Sequence, residues 1–320
     1  MKAVVVALGK IGLPLAARIA LAGHEVVGCD VDRRVVDSVN AAEPPSPNEA
    51  GLAEALRETV GDGRLRATTG TTGAVAQEPE LVILVPPLLV DEQARPDWRI
   101  LDAVLADVAA GLRPGTLVAL ETTVPVGTTR HRVAPTLGSD RVVFSPERVY
   151  SGRVLRDLDA YPKLVGGVTA EAEERGCELY GAFLPVEVRP MGSAEAAELA
   201  KLAETTYRDL NIAFANELAR HADALGVDVD RVIDAANSQP FSHIHRPGVA
   251  VGGHCIPVYP RFFLEGAREA RLPALAREVN EAMPAYAAHL LGDVAGRRVL
   301  ILGVAYRGGV KETAFSGAFP

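Results

Sequence analysis

Ala3-Val-Val-Val-Ala7-Leu-Gly9-Lys10-Ile11-Gly12 decides the fold. A β-branched run ends in a glycine turn, and Gly12-Leu-Pro-Leu-Ala-Ala-Arg-Ile-Ala-Leu21 continues with the Ala/Leu content of a helix. A second run, Glu25–Cys29, leads to Asp30, 18 residues after Gly12. Strand, glycine turn, helix, strand and acid, in that order, form the dinucleotide-binding arrangement. Its glycines let backbone amides and a helix N-terminus approach a pyrophosphate. An acid at the end of the second strand can take both ribose hydroxyls and would repel a 2′-phosphate, so the pattern predicts NAD rather than NADP. Gly9, Lys10, Ile11, Gly12 and Asp30 are the expected cofactor residues, with Arg34 at the adenosine end. Arg33 and Arg34 also lie where a 2′-phosphate would be received, and Ala7 replaces the usual first glycine, which tightens the turn. The plain alternative is a βα turn with no ligand; the surrounding strand, helix and acid favour the cofactor.

Outward from this turn, apolar runs alternate with helical segments: Ala3–Ala7, Glu25–Cys29, Leu81–Val85, Leu117–Leu120, Arg141–Phe144 and Val186–Val188. Strands that are apolar throughout predict an α/β domain of Rossmann type over 1–190, a doubly wound parallel sheet covered on both faces. From Ser193 to Leu225 neither Pro nor Gly occurs. That length predicts a helix of about 45 Å, with Ser193 as N-cap, Glu195 and Glu198 at its positive end and Gly226 as the stop. A helix so long bridges domains or forms an oligomer seam, so 191–294 is read as a helical central domain that makes a homodimer. Arg297–Tyr306 reads as the first strand of a further α/β domain, incomplete over 295–320.

Composition narrows the function. The 320 residues carry 33 Lys+Arg against 41 Asp+Glu, a net charge of −8, which argues against a nucleic-acid partner. With 48% hydrophobic and 23% charged residues the chain can bury a large core. Three cysteines are too few for a disulfide framework and suit a reducing compartment. With no secretory signal and no membrane span, a cytoplasmic enzyme acting on small molecules is expected.

Val251-Gly252-Gly253-His254-Cys255-Ile-Pro-Val-Tyr259-Pro260 carries the chemistry. Paired glycines before a cysteine make room for a substrate at sulfur, and the prolines stiffen the loop. A thiolate beside a histidine can attack an aldehyde carbon. Cys29, inside a strand, and Cys177, in a helix, read instead as inert. His243, His245, His254 and Cys255 are metal-ligand types, but their spacing fits no compact pattern and no metal is expected. Asn211 and Asn216 are unfavourable in a helix interior and point to buried hydrogen bonding.

Glycine turn, long helix and Gly-Gly-His-Cys-Ile-Pro loop, in that order, resemble the UDP-glucose/GDP-mannose dehydrogenase family of nucleotide-sugar 6-dehydrogenases. Three further segments are similar to that family: Glu121-Thr-Thr-Val-Pro-Val-Gly-Thr128, Phe144-Ser-Pro-Glu147-Arg148-Val, and Ala200-Lys201-Leu-Ala-Glu-Thr205 with Asn211–Glu217 beyond. The wording is nearer to the branch that oxidises UDP-N-acetylhexosamines, such as UDP-N-acetylmannosamine, than to the UDP-glucose branch. The resemblance implies a four-electron oxidation of a sugar C6 alcohol to a uronic acid, of the kind that supplies polysaccharide biosynthesis, with two NAD used in turn. By position, Cys255 would form the thiohemiacetal and thioester, Glu147 would serve the hydrolytic water, Lys201 an oxyanion, and Thr123 the water or nicotinamide. Pro86, Thr123 and Glu147 would join the cofactor site. Glu147, Arg148, Lys201, Thr205, Gly252, Gly253 and Tyr259 would contact the UDP-sugar. Each has a plainer reading: a surface ion pair of Glu147 with Arg148, a strand cap for Thr123, a solvated helix lysine for Lys201.

The chain departs from the family within this chemistry. Thr205 stands where the family has asparagine one turn after the lysine, Tyr259 where it has aspartate, and Ala314 where it has a substrate-contacting arginine, in Arg307-Gly-Gly-Val-Lys-Glu312-Thr-Ala314-Phe-Ser316-Gly. Two other readings follow. One is a two-electron β-hydroxyacid dehydrogenase, against which the cysteine loop speaks, because that oxidation needs no thioester. The other is a catalytically impaired homologue that binds NAD or a nucleotide sugar.

Overall fold

The computed structural model describes the chain except residues 46–48, 268, 307, 309–312, 314–315 and 320. Ten strands form: β1 (Lys2–Val6), β2 (Glu25–Cys29), β3 (Leu65–Thr68), β4 (Leu81–Leu84), β5 (Leu89–Val90), β6 (Pro96–Asp97), β7 (Leu117–Leu120), β8 (Val142–Phe144), β9 (Lys163–Gly167) and β10 (Val188–Pro190). Eight lie in one sheet in the order β10-β9-β8-β7-β4-β1-β2-β3, and β5 and β6 make a small hairpin. β4 and β7 are buried at every position, as expected of strands covered by helices on both faces. Leu15 and Ile19 from the first helix (Gly12–Leu21) pack with Leu56, Leu65, Leu81 and Ile83 in the core.

One pair departs from the expected all-parallel sheet. β9 runs antiparallel to β8, with Val143 beside Gly167 and Phe144 beside Gly166. The connection 145–162 holds only the short helix Val154–Leu158, so the chain turns back at the edge it has just left rather than crossing over. The helix Ala170–Gly181 then makes a crossover, and β10 is parallel to β9. Besides the β5–β6 hairpin, sequence patterning misses two strands of the main sheet. β3 is a short edge strand with alternating burial, and β9 combines a lysine with two glycines, residues that ordinarily leave strands. Gly166 is there because the Ser193 carbonyl would lie 2.1 Å from any Cβ.

The chain divides into two compact units, 1–91 with 96–201 and 92–95 with 202–320. The boundary between these units falls inside the long helix, Ala194–Leu225. Ser193 caps this helix by accepting from the Ala196 amide at 3.1 Å, and Gly226, at φ +67°, ends it. The second unit continues with helices Val229–Ala236, Tyr259–Gly266 and Arg271–Leu290. The strand expected over Arg297–Tyr306 does not form. Its residues 297–304 have no regular structure, and Leu300 and Leu302 are more than four-fifths exposed. A strand needs neighbours for its amides, and here none pairs with it.

Candidate active site

The first unit gathers its candidate residues at one end of its sheet. β1, β2, β4, β7 and β8 are parallel, so the Ala7–Gly12 turn, Asp30, Pro86, Thr123 and Glu147 all leave the carboxyl ends of their strands. The sheet order reverses between β1 and β4, where a crevice opens in doubly wound folds. Ala7 adopts φ +76°, a conformation that glycine usually supplies, so the replacement foreseen in the sequence costs strain. A Cβ on Gly12 would stand 2.0 Å from the Ala7 carbonyl oxygen, whereas a Cβ on Gly9 would meet nothing within 4 Å. Gly12 thus keeps the turn tight, and Gly9 keeps its outer face open. Asp30 accepts from the Leu8 amide at 2.8 Å and the Asp32 amide at 2.9 Å, which fixes its carboxylate against the turn. Open glycine, helix N-terminus and oriented acid fit the pyrophosphate and ribose of NAD.

Arg34 is held elsewhere than expected. Its guanidinium donates to both oxygens of Asp32, at 3.1 and 2.7 Å, and Asp32 also caps the following helix. Val31, 90% exposed beside Asp30, is an apolar surface that sequence patterning passed over.

Beyond β7 and β8 the side chains are buried. The Thr122 hydroxyl donates to the Pro86 carbonyl at 2.5 Å, tying the loops after β4 and β7 together, and Thr123 is buried beside it. Glu147 does not form the surface pair with Arg148 that the sequence allowed. It accepts from Lys163, the first residue of β9, while the Arg148 guanidinium reaches the Pro162 carbonyl. Lys163 also lies 3.1 Å from Glu121, and Glu121 accepts from the Tyr180 hydroxyl. Neither Lys163 nor Tyr180 was legible as part of a site: Lys163 is a single charge ahead of an apolar run, and Tyr180 is a single tyrosine in a charged helix. Lys201 is buried in the long helix, not solvated. One turn earlier, Glu198 accepts from the Gly127 amide, the Thr129 amide and the Thr129 hydroxyl at 2.5 to 2.8 Å. Burial pushes its carboxyl up to about 7 against these three donors.

The second unit holds the cysteine loop. Cys255 is exposed, and its carbonyl accepts from the Val258 and Tyr259 amides at 3.2 and 2.9 Å, a turn that runs straight into the helix Tyr259–Gly266. Gly253 adopts φ +87°, so the second glycine of the pair is a backbone requirement here as well as an opening. The loop is pinned from two helices. Asn211 receives the His245 amide and donates to the His243 carbonyl, and Asn216 receives the Gly248 amide. Asn216 also donates to Asn280, which donates to Asp209. Arg277, 3.3 Å from Asp209, donates to the Ile256 carbonyl. Asn216 thus serves buried hydrogen bonding, as its sequence position suggested, whereas Asn211 holds the loop from a partly exposed position.

Thr205 and Tyr259 both make local contacts. The Thr205 hydroxyl donates back to the Leu202 carbonyl at 3.1 Å, and the Tyr259 ring packs on Phe262. Ala314 lies outside the described residues. The remaining cysteines behave as inert thiols: Cys29 is buried and pushed up to about 12, and Cys177 is raised by burial.

A glycine turn aimed at a pyrophosphate, an ordered ribose acid and an exposed thiol on a braced loop define an NAD-dependent dehydrogenase. Residues 1–184 match the NAD binding domain of the UDP-glucose/GDP-mannose dehydrogenase family and residues 195–282 its central domain, and the chain belongs to this family. Among its relatives, the UDP-N-acetyl-D-mannosamine dehydrogenase of Pyrococcus horikoshii is 35% identical over 99% of this chain and 79% of its own length. The NDP-N-acetyl-D-galactosaminuronic acid dehydrogenase of Ralstonia solanacearum is 40% identical over 88% of this chain and 69% of its own. A solved structure of the Pyrococcus horikoshii UDP-D-ManNAc dehydrogenase superposes with a TM-score of 0.92 at 34% identity, covering 99% of this chain and 79% of that one. The family match favours the nucleotide-sugar reading over the β-hydroxyacid one. No helix among the described residues is long and apolar enough to cross a membrane.

Proposed function

We propose that this protein oxidises the C6 alcohol of a UDP-N-acetylhexosamine to the uronic acid, with UDP-N-acetylmannosamine the first substrate to test. The observation that carries the reading is the exposed Cys255 thiol on a turn leading into a helix, the one cysteine of the three open to a substrate. NAD, when bound, takes the hydride in each of two successive oxidations. After the first, the Cys255 thiolate adds to the C6 aldehyde as a thiohemiacetal, and Lys201 holds the developing oxyanion. After the second, the sugar is a thioester on Cys255. Glu147 takes a proton from water as its oxygen attacks the thioester carbon, the C–S bond breaks, and the acid leaves. Thr123 positions that water, and Arg148, Gly252 and Gly253 form the sugar's surroundings.

The same reading places the protein in the cytoplasm as a homodimer. Tyr207 and Phe214, two turns apart on one face of the long helix, are 60% and 51% exposed and suit a helix–helix seam. Residues 295–320 fit as the opening of a nucleotide-sugar-binding domain. The test is stoichiometry: purified protein with NAD and a panel of UDP-sugars should yield two NADH and one uronic acid per sugar. One NADH with an aldehyde or ketone would overturn the four-electron route, and sugar binding without turnover would mark an impaired homologue.

A further inference from the structure

Lys163 opens β9 with its side chain only 5% exposed, where a lysine costs free energy unless it is paired. Its ammonium donates to Glu147, stands 3.1 Å from Glu121, and lies 5.0 Å from the centre of the Tyr180 ring. Glu121 and Glu147 arrive from the carboxyl ends of β7 and β8. Lys163 arrives at the same edge because β9 is antiparallel: with Gly166 beside Phe144, the start of β9 falls beside Glu147.

Two carboxyl groups facing one ammonium in a buried place cannot both ionise cheaply. Burial, with Glu147 adding to it, holds Glu121 well above the usual carboxylate range, and its Oε2 has no hydrogen-bond partner among the described residues. Glu121 is therefore the protonated member. Tyr180 likewise keeps its proton, through burial and the neighbouring Glu121. The ammonium then has one carboxylate opposite it, on Glu147.

We propose that Lys163 is a positioning residue for Glu147: held between Glu121, Glu147 and the Tyr180 ring, its ammonium grips one oxygen of the Glu147 carboxyl group and presents the other to the hydrolytic water. The proposal rests on the reading of Glu147 as the base of thioester hydrolysis. The step is redox-neutral. Water gives its proton to Glu147 and its oxygen to the thioester carbon, and the electron pair of the broken C–S bond returns to Cys255. Lys163 touches neither water nor sugar, so it should affect hydrolysis and not the two oxidations.

The test compares wild type, Lys163→Met, Lys163→Arg and Glu147→Gln with NAD and UDP-N-acetylmannosamine, reading the pre-steady-state NADH burst, the steady-state rate, and protein-bound acyl adduct by intact mass after acid quench. Methionine fills the same volume without charge; arginine keeps the charge in a planar fork that cannot repeat the single-point grip. Both Lys163 variants should keep the burst, lose steady-state rate by about 10- to 100-fold, and accumulate adduct. Should Lys163→Met fail to fold, Lys163→Arg carries the same decision. Wild-type hydrolysis in the folded Lys163 variants, or loss of burst and NAD binding together with rate, overturns the proposal. Absence of adduct in Glu147→Gln would instead overturn the role of Glu147 itself.

Discussion

Arg277, buried in the last helix, donates to the carbonyl of Ile256 at 3.2 Å and so holds the backbone one residue beyond the exposed Cys255. Asp209 of the long helix, 3.3 Å away, supplies its counter-charge. The nucleophile's loop is thus braced by a buried ion pair as well as by the buried side chains of Ile256, Val258 and Phe262.

Arg277→Met should therefore do two things. It leaves Asp209 buried without its cation, which costs about 3 kcal/mol, and it frees the cysteine loop. A lowered melting temperature, together with a several-fold change in the rate of Cys255 alkylation by iodoacetamide, is the expected pair of results. An unchanged alkylation rate would show that the loop is held without Arg277.

Cys255→Ser tests the covalent route. The hydroxyl is a far weaker nucleophile at neutral pH, so acid formation should fall to background while NAD affinity, measured by calorimetry, stays within about twofold, because no residue of the glycine turn has changed. Unchanged acid yield would sink the thioester mechanism.

Glu198 gives a pH dependence with a defined sign. Its carboxyl moves from the ordinary 4.5 to about 7 on folding, so between those values the folded protein binds more protons than the unfolded chain. Stability contributed by this group is fully present below pH 4.5 and falls as pH rises toward 7, by about 3 kcal/mol in all. Denaturant titrations across this range should show the wild-type slope flattened in Glu198→Gln. The variant should also be less stable at pH 5, because an amide nitrogen cannot accept from the Gly127 amide. Parallel pH profiles for the two proteins would refute the assignment.

At the glycine turn, two substitutions should move in opposite directions. Ala7→Gly relieves a residue at φ +76° and should raise stability by about 1 kcal/mol. Gly12→Ala sets a methyl 2.0 Å from the Ala7 carbonyl and should weaken NAD binding by an order of magnitude or more. Thermal melts and NAD titrations of the two variants check both; equal affinities would show that the turn can relax.

The sequence made the glycine turn, the ribose acid, the long helix and the cysteine loop legible because each is local: its signal lies in residues a few positions apart. What it hid is non-local. Lys163 looks like a stray charge ahead of Leu-Val-Gly-Gly, and only the strand pairing brings it to Glu147. Arg277 reads as one more helix arginine until the fold sets it under the Ile256 carbonyl. Arg34 shows a local pairing that the sequence did not announce: its exposed guanidinium is engaged by its neighbour Asp32. The expected strand over Arg297–Tyr306 shows the same limit, since apolar residues form a strand only where another strand is present to receive their amides.

The reversed direction of β9 makes the Glu147–Lys163 contact a matter of strand register rather than of loop length. Residues may be gained or lost in the 150–160 stretch while Lys163 still falls opposite Glu147. A single-residue slip within β9 would instead bring Leu164 to that place and send the ammonium to the other face of the sheet. The tolerance of this region to insertion and deletion should therefore change abruptly where the strand begins.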